Sequence, residues 1–183
     1  MIFCGASTLM EFQQIIDLQA KNLKGNISKE EAISEGFVTV KHSVELIAAM
    51  NSPFSHAIAK DNNQVVGYAL MMTQAFGKEV PVLIPMFELI EKFSYKERKL
   101  NETSYFVMGQ VCIEKAYRGK GLFKGLYQQL ISQTKADFDY MITEVATRNL
   151  RSMKAHAKVG FVLLHTYMDD GEEWAMVILD LKK

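Results

Sequence analysis

The sequence predicts a mixed α/β fold in a single domain spanning residues 1–183. Apolar strand-like runs alternate with helical segments along the whole chain, and one glycine turn joins such a run directly to a helix. No repeat, low-complexity tract or Pro/Ser-rich linker marks a boundary, and 183 residues at 49% hydrophobic and 23% charged suffice for one sizeable core.

Taken in order, Met1 to Gly5 reads as a short opening strand. Ser7-Thr8-Leu9-Met10-Glu11 resembles a capping box, and Phe12, Ile15, Ile16 and Leu18 follow at helical spacing, so a helix is expected to end near Gly25. Ser28-Lys29-Glu30-Glu31 looks like a second N-cap, and Val44 to Met50 like a short helix closing before Asn51-Ser52-Pro53. His56 to Ala59 and Val65 to Met71 flank Asp61-Asn62-Asn63, which predicts a hairpin. Residues 72–104, with Pro81, Pro85 and a helical run from Met86 to Phe93, read as an inserted loop and helix beside the substrate. Beyond them come a strand from Tyr105 to Ile113, a helix from Gly121 to about Lys135, a strand from Tyr140 to Val145 and a helix from Asn149 to Lys158. A hairpin of Gly160–Leu164 with Trp174–Leu179 around Asp169-Asp170-Gly171 closes the chain.

Charge and cysteine content narrow the function. Twenty-one Lys and Arg balance 21 Asp and Glu, so no global field draws the chain to nucleic acid or to an anionic membrane. Neither partner is expected, and any anion site must be local. Cys4 and Cys112 form no CxxC or Cys/His cluster, and His42 and His56 join no carboxylates at ligand spacing, so neither a metal nor a disulfide scaffold is expected. Reduced thiols, no signal-peptide pattern at the N-terminus and no membrane-length apolar run lead to the expectation of a soluble, cytoplasmic protein.

The local anion site is legible in Tyr117-Arg118-Gly119-Lys120-Gly121-Leu122-Phe123-Lys124-Gly125-Leu126. Glycines let backbone N–H groups approach an anion, and the first helical turn adds unpaired donors and the positive end of its dipole. About 30 residues further on, Asn149-Leu150-Arg151-Ser152 leads to His156-Ala157-Lys158-Val159-Gly160-Phe161. Together these two stretches resemble the GNAT superfamily, the GCN5-related N-acetyltransferases. Arg118 to Phe123 matches its pyrophosphate loop, an Arg or Gln, two variable residues, Gly, one variable residue and Gly or Ala, with Phe123 where a small residue is usual and Gly125 as relief for the crowding. The later stretch matches its Asn, Tyr and Gly-Phe pattern, with His156 where the family often has a tyrosine that protonates the departing thiolate.

The resemblance covers residues 105 to 165 well and implies a fold, a cofactor and a reaction. The fold is a mostly antiparallel central sheet flanked by helices, with a splayed strand pair at the cofactor site; residues 1–104 form the acceptor side and 105–165 the acyl-CoA-binding core. The donor is acetyl-CoA, held by Arg118, Gly119, Lys120, Gly121, Leu122 and Phe123 at its pyrophosphate, by Val111, Cys112 and Ile113 along its pantetheine arm, and by Asn149. The reaction is direct attack of a primary amine on the thioester, with no covalent enzyme intermediate. The acceptor is a small-molecule or peptide amine, and a homodimer through the final strand is compatible with the sequence. His156 is expected as the general acid, as a hydrogen-bonding neighbour of the thiol sulfur, or merely as a helix residue, and Glu144 is the expected general base by position, with Glu114 the second candidate. Plainer roles stand beside these: Asn149 caps a helix, Cys112 packs a strand, and the abundant Met and Phe fill the core. Two other functions compete: an acyl-CoA-binding sensor without catalysis, and a binding module using Lys115, Arg118, Lys120 and Lys124 as a basic patch.

Overall fold

The computed structural model describes residues 1–28, 37–38, 40–74, 76, 81 and 84–183. In chain order its elements are β1 (Ile2–Gly5), α1 (Leu9–Lys21), α2 (Val44–Met50), β2 (Ala57–Asp61), β3 (Gln64–Met72), α3 (Ile84–Ile90), β4 (Ser94–Tyr95), β5 (Arg98–Lys99), β6 (Tyr105–Ile113), α4 (Leu122–Thr134), β7 (Tyr140–Ala146), α5 (Leu150–Val159), β8 (Val162–Asp169) and β9 (Glu172–Asp180). Seven strands form a mostly antiparallel sheet in the order β1-β2-β3-β6-β7-β9-β8, the mixed architecture expected. The chain divides into two compact units, Met1–Met71 with Gly109–Gln133, and Met72–Met108 with Thr134–Lys183.

In the first unit, the Thr8 side chain accepts from the Glu11 N–H while the Glu11 carboxylate accepts from the Thr8 N–H, so the expected capping box starts α1. Phe12, Ile15 and Leu18 form its buried stripe. The helix stops at Lys21, earlier than Gly25, because Asn22 leaves helical geometry and a short 3-10 turn, Lys24–Asn26, takes over. The second N-cap expected at Ser28-Lys29-Glu30-Glu31 runs into residues outside those described. Ser43 caps α2 by accepting from the Leu46 N–H at 3.1 Å. β1 pairs antiparallel with β2 from Ile2↔Lys60 to Gly5↔Ala57, and β2 turns into β3 through Asn62, whose φ of 52° is the left-handed conformation that asparagine tolerates.

β1 also meets α4. A Cβ built on Gly125 would lie 2.2 Å from Phe3 Cζ, so the bare helix backbone is the seat of the Phe3 ring. Gly125 therefore makes room for Phe3, and the Phe123 ring instead lies 4.8 Å from Tyr127.

In the second unit, β6 and β7 run parallel over Tyr105↔Tyr140, Phe106↔Met141 and Val107↔Ile142. At the next step the Thr143 hydroxyl donates to the Met108 carbonyl at 2.7 Å, a side chain serving an acceptor at the end of the ladder. β7 pairs antiparallel with β9 from Tyr140↔Asp180 to Ala146↔Trp174, and β8 covers the other edge of β9. Within the insertion, α3 covers Ile84–Ile90 instead of Met86 to Phe93, and an unforeseen two-stranded hairpin, β4 with β5, follows it. Lys96 and Glu97, at φ 49° and 66°, turn that hairpin without a glycine, which removes the usual sequence signal.

Gly125→Ala should destabilise the protein by about 1–2 kcal/mol, because overpacking against Phe3 outweighs the better helix propensity of alanine. In a Phe3→Ala background the same change should become stabilising by up to about 1 kcal/mol. Urea unfolding of the four proteins checks the change of sign.

Candidate acyl-CoA site

The first unit carries the glycine turn. β6 ends where Glu114 turns away; its N–H still donates to the Val66 carbonyl at 2.8 Å, and its carboxylate accepts from the Lys115 N–H to open a short 3-10 turn, Lys115–Tyr117. Lys21 sits 3.2 Å from the other Glu114 oxygen, so this second candidate base is ion-paired as well as acting as a cap. The Tyr117 hydroxyl donates to Asp61 at 2.6 Å. Arg118 Nε donates to the Ile113 carbonyl at 3.1 Å and Nη2 to Asn22 Oδ1 at 2.7 Å, tying the loop to the end of β6 and to the C-terminus of α1.

Gly119 and Gly121 follow with φ of 76° and 83°, angles that side chains rarely adopt. A Cβ at either position would meet nothing within 4 Å, so the space over the turn is open. α4 then begins at Leu122; its first helical bond runs from the Gly125 N–H to the Gly121 carbonyl at 3.2 Å, which leaves the N–H groups before it outside the helix ladder. No acidic residue lies in that first turn. Leu122 is buried, so it offers the turn only its backbone. An open loop of positive-φ glycines running into a 13-residue helix fits a pyrophosphate. Lys115, Lys120 and Lys124 are exposed, but Arg118 is engaged within the fold and Lys120 lies over the Tyr117 ring at 5.3 Å, which breaks up the basic patch.

On the strand leading to the turn, Val111 and Ile113 are half-buried and share one face, while Cys112 is buried on the other. Burial pushes the Cys112 thiol up to about 12, so it stays protonated and is no nucleophile near neutrality.

Beside it lies a polar network absent from the sequence reading. Gln19 Oε1 accepts from the His42 backbone N–H at 2.7 Å, which makes Nε2 the donor end; it donates to His42 Nδ1 at 2.8 Å and to Gln110 Oε1 at 2.7 Å. Gln110 Nε2 donates to the Val40 carbonyl, and its Oε1 also accepts from the Tyr68 hydroxyl at 2.5 Å. Because His42 Nδ1 accepts, the proton sits on Nε2, which is buried without a partner among the described residues. Two glutamines on otherwise apolar faces, Gln19 in α1 and Gln110 in β6, were the available signal.

The second unit carries the later motif. Asn149 Oδ1 accepts from the Ser152 N–H at 3.0 Å and caps α5. Gly160 ends the helix at φ 116°. His156 is 2% exposed, its Nδ1 lies 2.9 Å from the Ser152 carbonyl, and its ring packs edge-on against Phe161. Nδ1 therefore carries the proton, and burial lowers the imidazole to about 4. The expected general acid is thus a neutral imidazole at pH 7. Glu144 is half-buried on β7, pushed up by burial and held partly down by a hydrogen bond from the Tyr167 hydroxyl.

Among the described residues no cluster of His, Cys, Asp and Glu suits a metal ion, and no helix is long and apolar enough to cross a membrane. The model of the acetyltransferase (GNAT) family matches residues 26–161, which draw on both units. The chain belongs to that family. Its fold is similar to that of yncA from Salmonella typhimurium, solved with its cofactor acetyl-CoA (TM-score 0.65, 15% identity, covering 100% of this chain and 95% of that one). It is similar also to the ribosomal-protein-S18-alanine N-acetyltransferase of Escherichia coli (0.64, 10%, 100% and 94%) and to Ard1 of Thermoplasma volcanium (0.65, 12%, 100% and 98%). No curated protein matches the chain.

His42, His56 and His156 are all buried, and burial lowers each to about 4. Their folded-state values lie below the unfolded value near 6.5, so only the unfolded chain takes up these protons as pH falls between the two. Stability should hold above pH 6.5 and fall from there towards pH 4, by up to about 1.4 kcal/mol per pH unit for each histidine. Urea unfolding at pH 7.5 and 5.5 reads this, and His56→Gln should flatten the slope.

Proposed function

We propose that this protein transfers an acetyl group from acetyl-CoA to a primary amine in a ternary complex. The observation that carries the reading is the open turn at Gly119 and Gly121, with left-handed backbone and no side chain over it, at the N-terminus of α4. In this reading N–H groups of Gly119, Lys120, Gly121, Leu122 and Phe123 cradle the pyrophosphate, and Arg118 keeps the loop in shape. Backbone groups of Val111, Cys112 and Ile113 pair with the pantetheine arm, and Asn149 Nδ2 adds a donor. Acetyl-CoA supplies an activated acyl carbon.

The amine nitrogen attacks that carbon, a backbone N–H of β6 stabilises the negative oxygen, the C–S bond breaks and the thiolate leaves. Glu144 accepts the amine proton, through water where the distance requires it. His156 stands in the family's tyrosine position as a neutral imidazole beside the sulfur rather than as its acid. A peptide or protein N-terminus is one acceptor class, supported by the S18-alanine N-acetyltransferase and by the NatC complex solved with Gag peptide and CoA (TM-score 0.62, 14% identity, 98% and 97% covered); small-molecule amines are the other.

A second reading, acyl-CoA binding without turnover, draws on the same His156, since a neutral buried imidazole gives the leaving thiolate no proton at pH 7. The chain would then act as a soluble cytoplasmic sensor.

Calorimetric titration with acetyl-CoA tests both readings, and thiol release with a panel of amines separates them. Wild type should bind, Gly121→Glu should weaken binding at least about 100-fold, equal to about 2.7 kcal/mol, and His156→Ala should leave affinity nearly unchanged. No heat at millimolar acetyl-CoA would sink both readings. Binding without thiol release across a panel of peptide and small-molecule amines would favour the sensor.

A further inference from the structure

The residue best placed to make Glu144 a working base lies two strands away. The pairing of β7, β9 and β8 sets Glu144, Met176 and His165 in one row and Ala146, Trp174 and Tyr167 in the next. Alternate residues of a strand share a face, so both rows lie on the same side of the sheet. From its row Tyr167 reaches diagonally across β9, and its hydroxyl donates to Glu144 Oε2.

We propose that Tyr167 is a positioning residue for Glu144: its hydroxyl fixes the carboxylate's orientation and occupies Oε2, leaving Oε1 as the oxygen that receives the amine proton. The inference rests on the acetyl-transfer reading above. The surroundings explain why such a donor is needed. Burial favours the neutral acid, the Tyr167 bond opposes it, and Asp169 further along β8 favours the acid again. In these rows the neighbours are Ala146 on β7, Met176 and Trp174 on β9, and His165, whose ring lies against Phe93 at 4.5 Å; Ile142, one step back on the same face of β7, pairs with Val107 of β6. The phenol is a dependable donor, since burial and the adjacent Glu144 carboxylate both push its own pKa up. Without the Tyr167 bond, burial and Asp169 would both favour the protonated acid, the form that cannot accept a proton.

The full chain labelled at glutamate side-chain carboxyl carbons tests this without any ligand. The Glu144 signal, identified by its loss in Glu144→Gln, should titrate above the ordinary glutamate range in wild type and about 0.5–1 pH unit higher again in Tyr167→Phe. In wild type, tyrosine labelled at Cζ should show the Tyr167 signal moving with the same midpoint, and that response should vanish in Glu144→Gln. This second measurement stands even if Tyr167→Phe does not fold. An unmoved midpoint in Tyr167→Phe, or a Tyr167 signal indifferent to Glu144, overturns the positioning role. With acetyl-CoA and the panel amine that releases most thiol, Tyr167→Phe should raise the acidic limb of kcat/KM by the same amount, and Glu144→Gln should abolish that limb. If the limb survives Glu144→Gln, the general-base reading fails, and with it the role given to Tyr167, whatever the carboxyl titration shows.

Discussion

The glycine turn depends on Arg118. A loop that exposes backbone N–H groups to a ligand cannot use those groups to hold itself together, and Gly119 and Gly121 contribute no side chains. Arg118 supplies the missing restraint, one nitrogen on the last carbonyl of β6 and another on the buried Asn22 that ends α1. Glu114 and Tyr117 add a cap and a tether to Asp61. The family reading gives the first position of the motif to the ligand; in this chain its guanidinium also works as internal scaffolding, and its planar fork suits two oxygens that diverge.

Much of this was readable from the residues because the signals were local. The capping box at Thr8 and Glu11, the hairpin at Asn62, the turn before α4 and the Asn149 cap each depend on a few adjacent side chains, and each forms where expected. The missed features are those in which distant parts of the chain meet. Sequence pairs Gly125 with nearby Phe123, but it serves Phe3, 122 positions away. The β4–β5 hairpin escaped notice because its turn residues, Lys96 and Glu97, look like ordinary helix formers.

The candidate site divides in the same way. Backbone-based roles follow from motif spacing, since a glycine turn at a helix start defines what it can hold. Roles that require a proton depend on burial, which spacing does not encode. His156 sits in the register expected, yet its Nδ1 is committed to the Ser152 carbonyl and its burial keeps it neutral. Glu144 stands out in the sequence only by its position on a strand; what distinguishes it chemically is a phenol from β8 that no local pattern connects to it.

The Gly119–Gly121 turn adopts its left-handed backbone with nothing packed over it. Its conformational entropy is therefore surrendered when the chain folds, not when a ligand arrives. An anion meeting such a loop would not have to order it, and would give up only hydration on both sides and its own freedom to move; in the acyl-CoA reading, discrimination among nucleotide-bearing thioesters would then come from regions beyond the diphosphate. In the acetyl-transfer reading proposed above, such a turn would be a generic handle, with selectivity left to the elements around the acyl and amine ends.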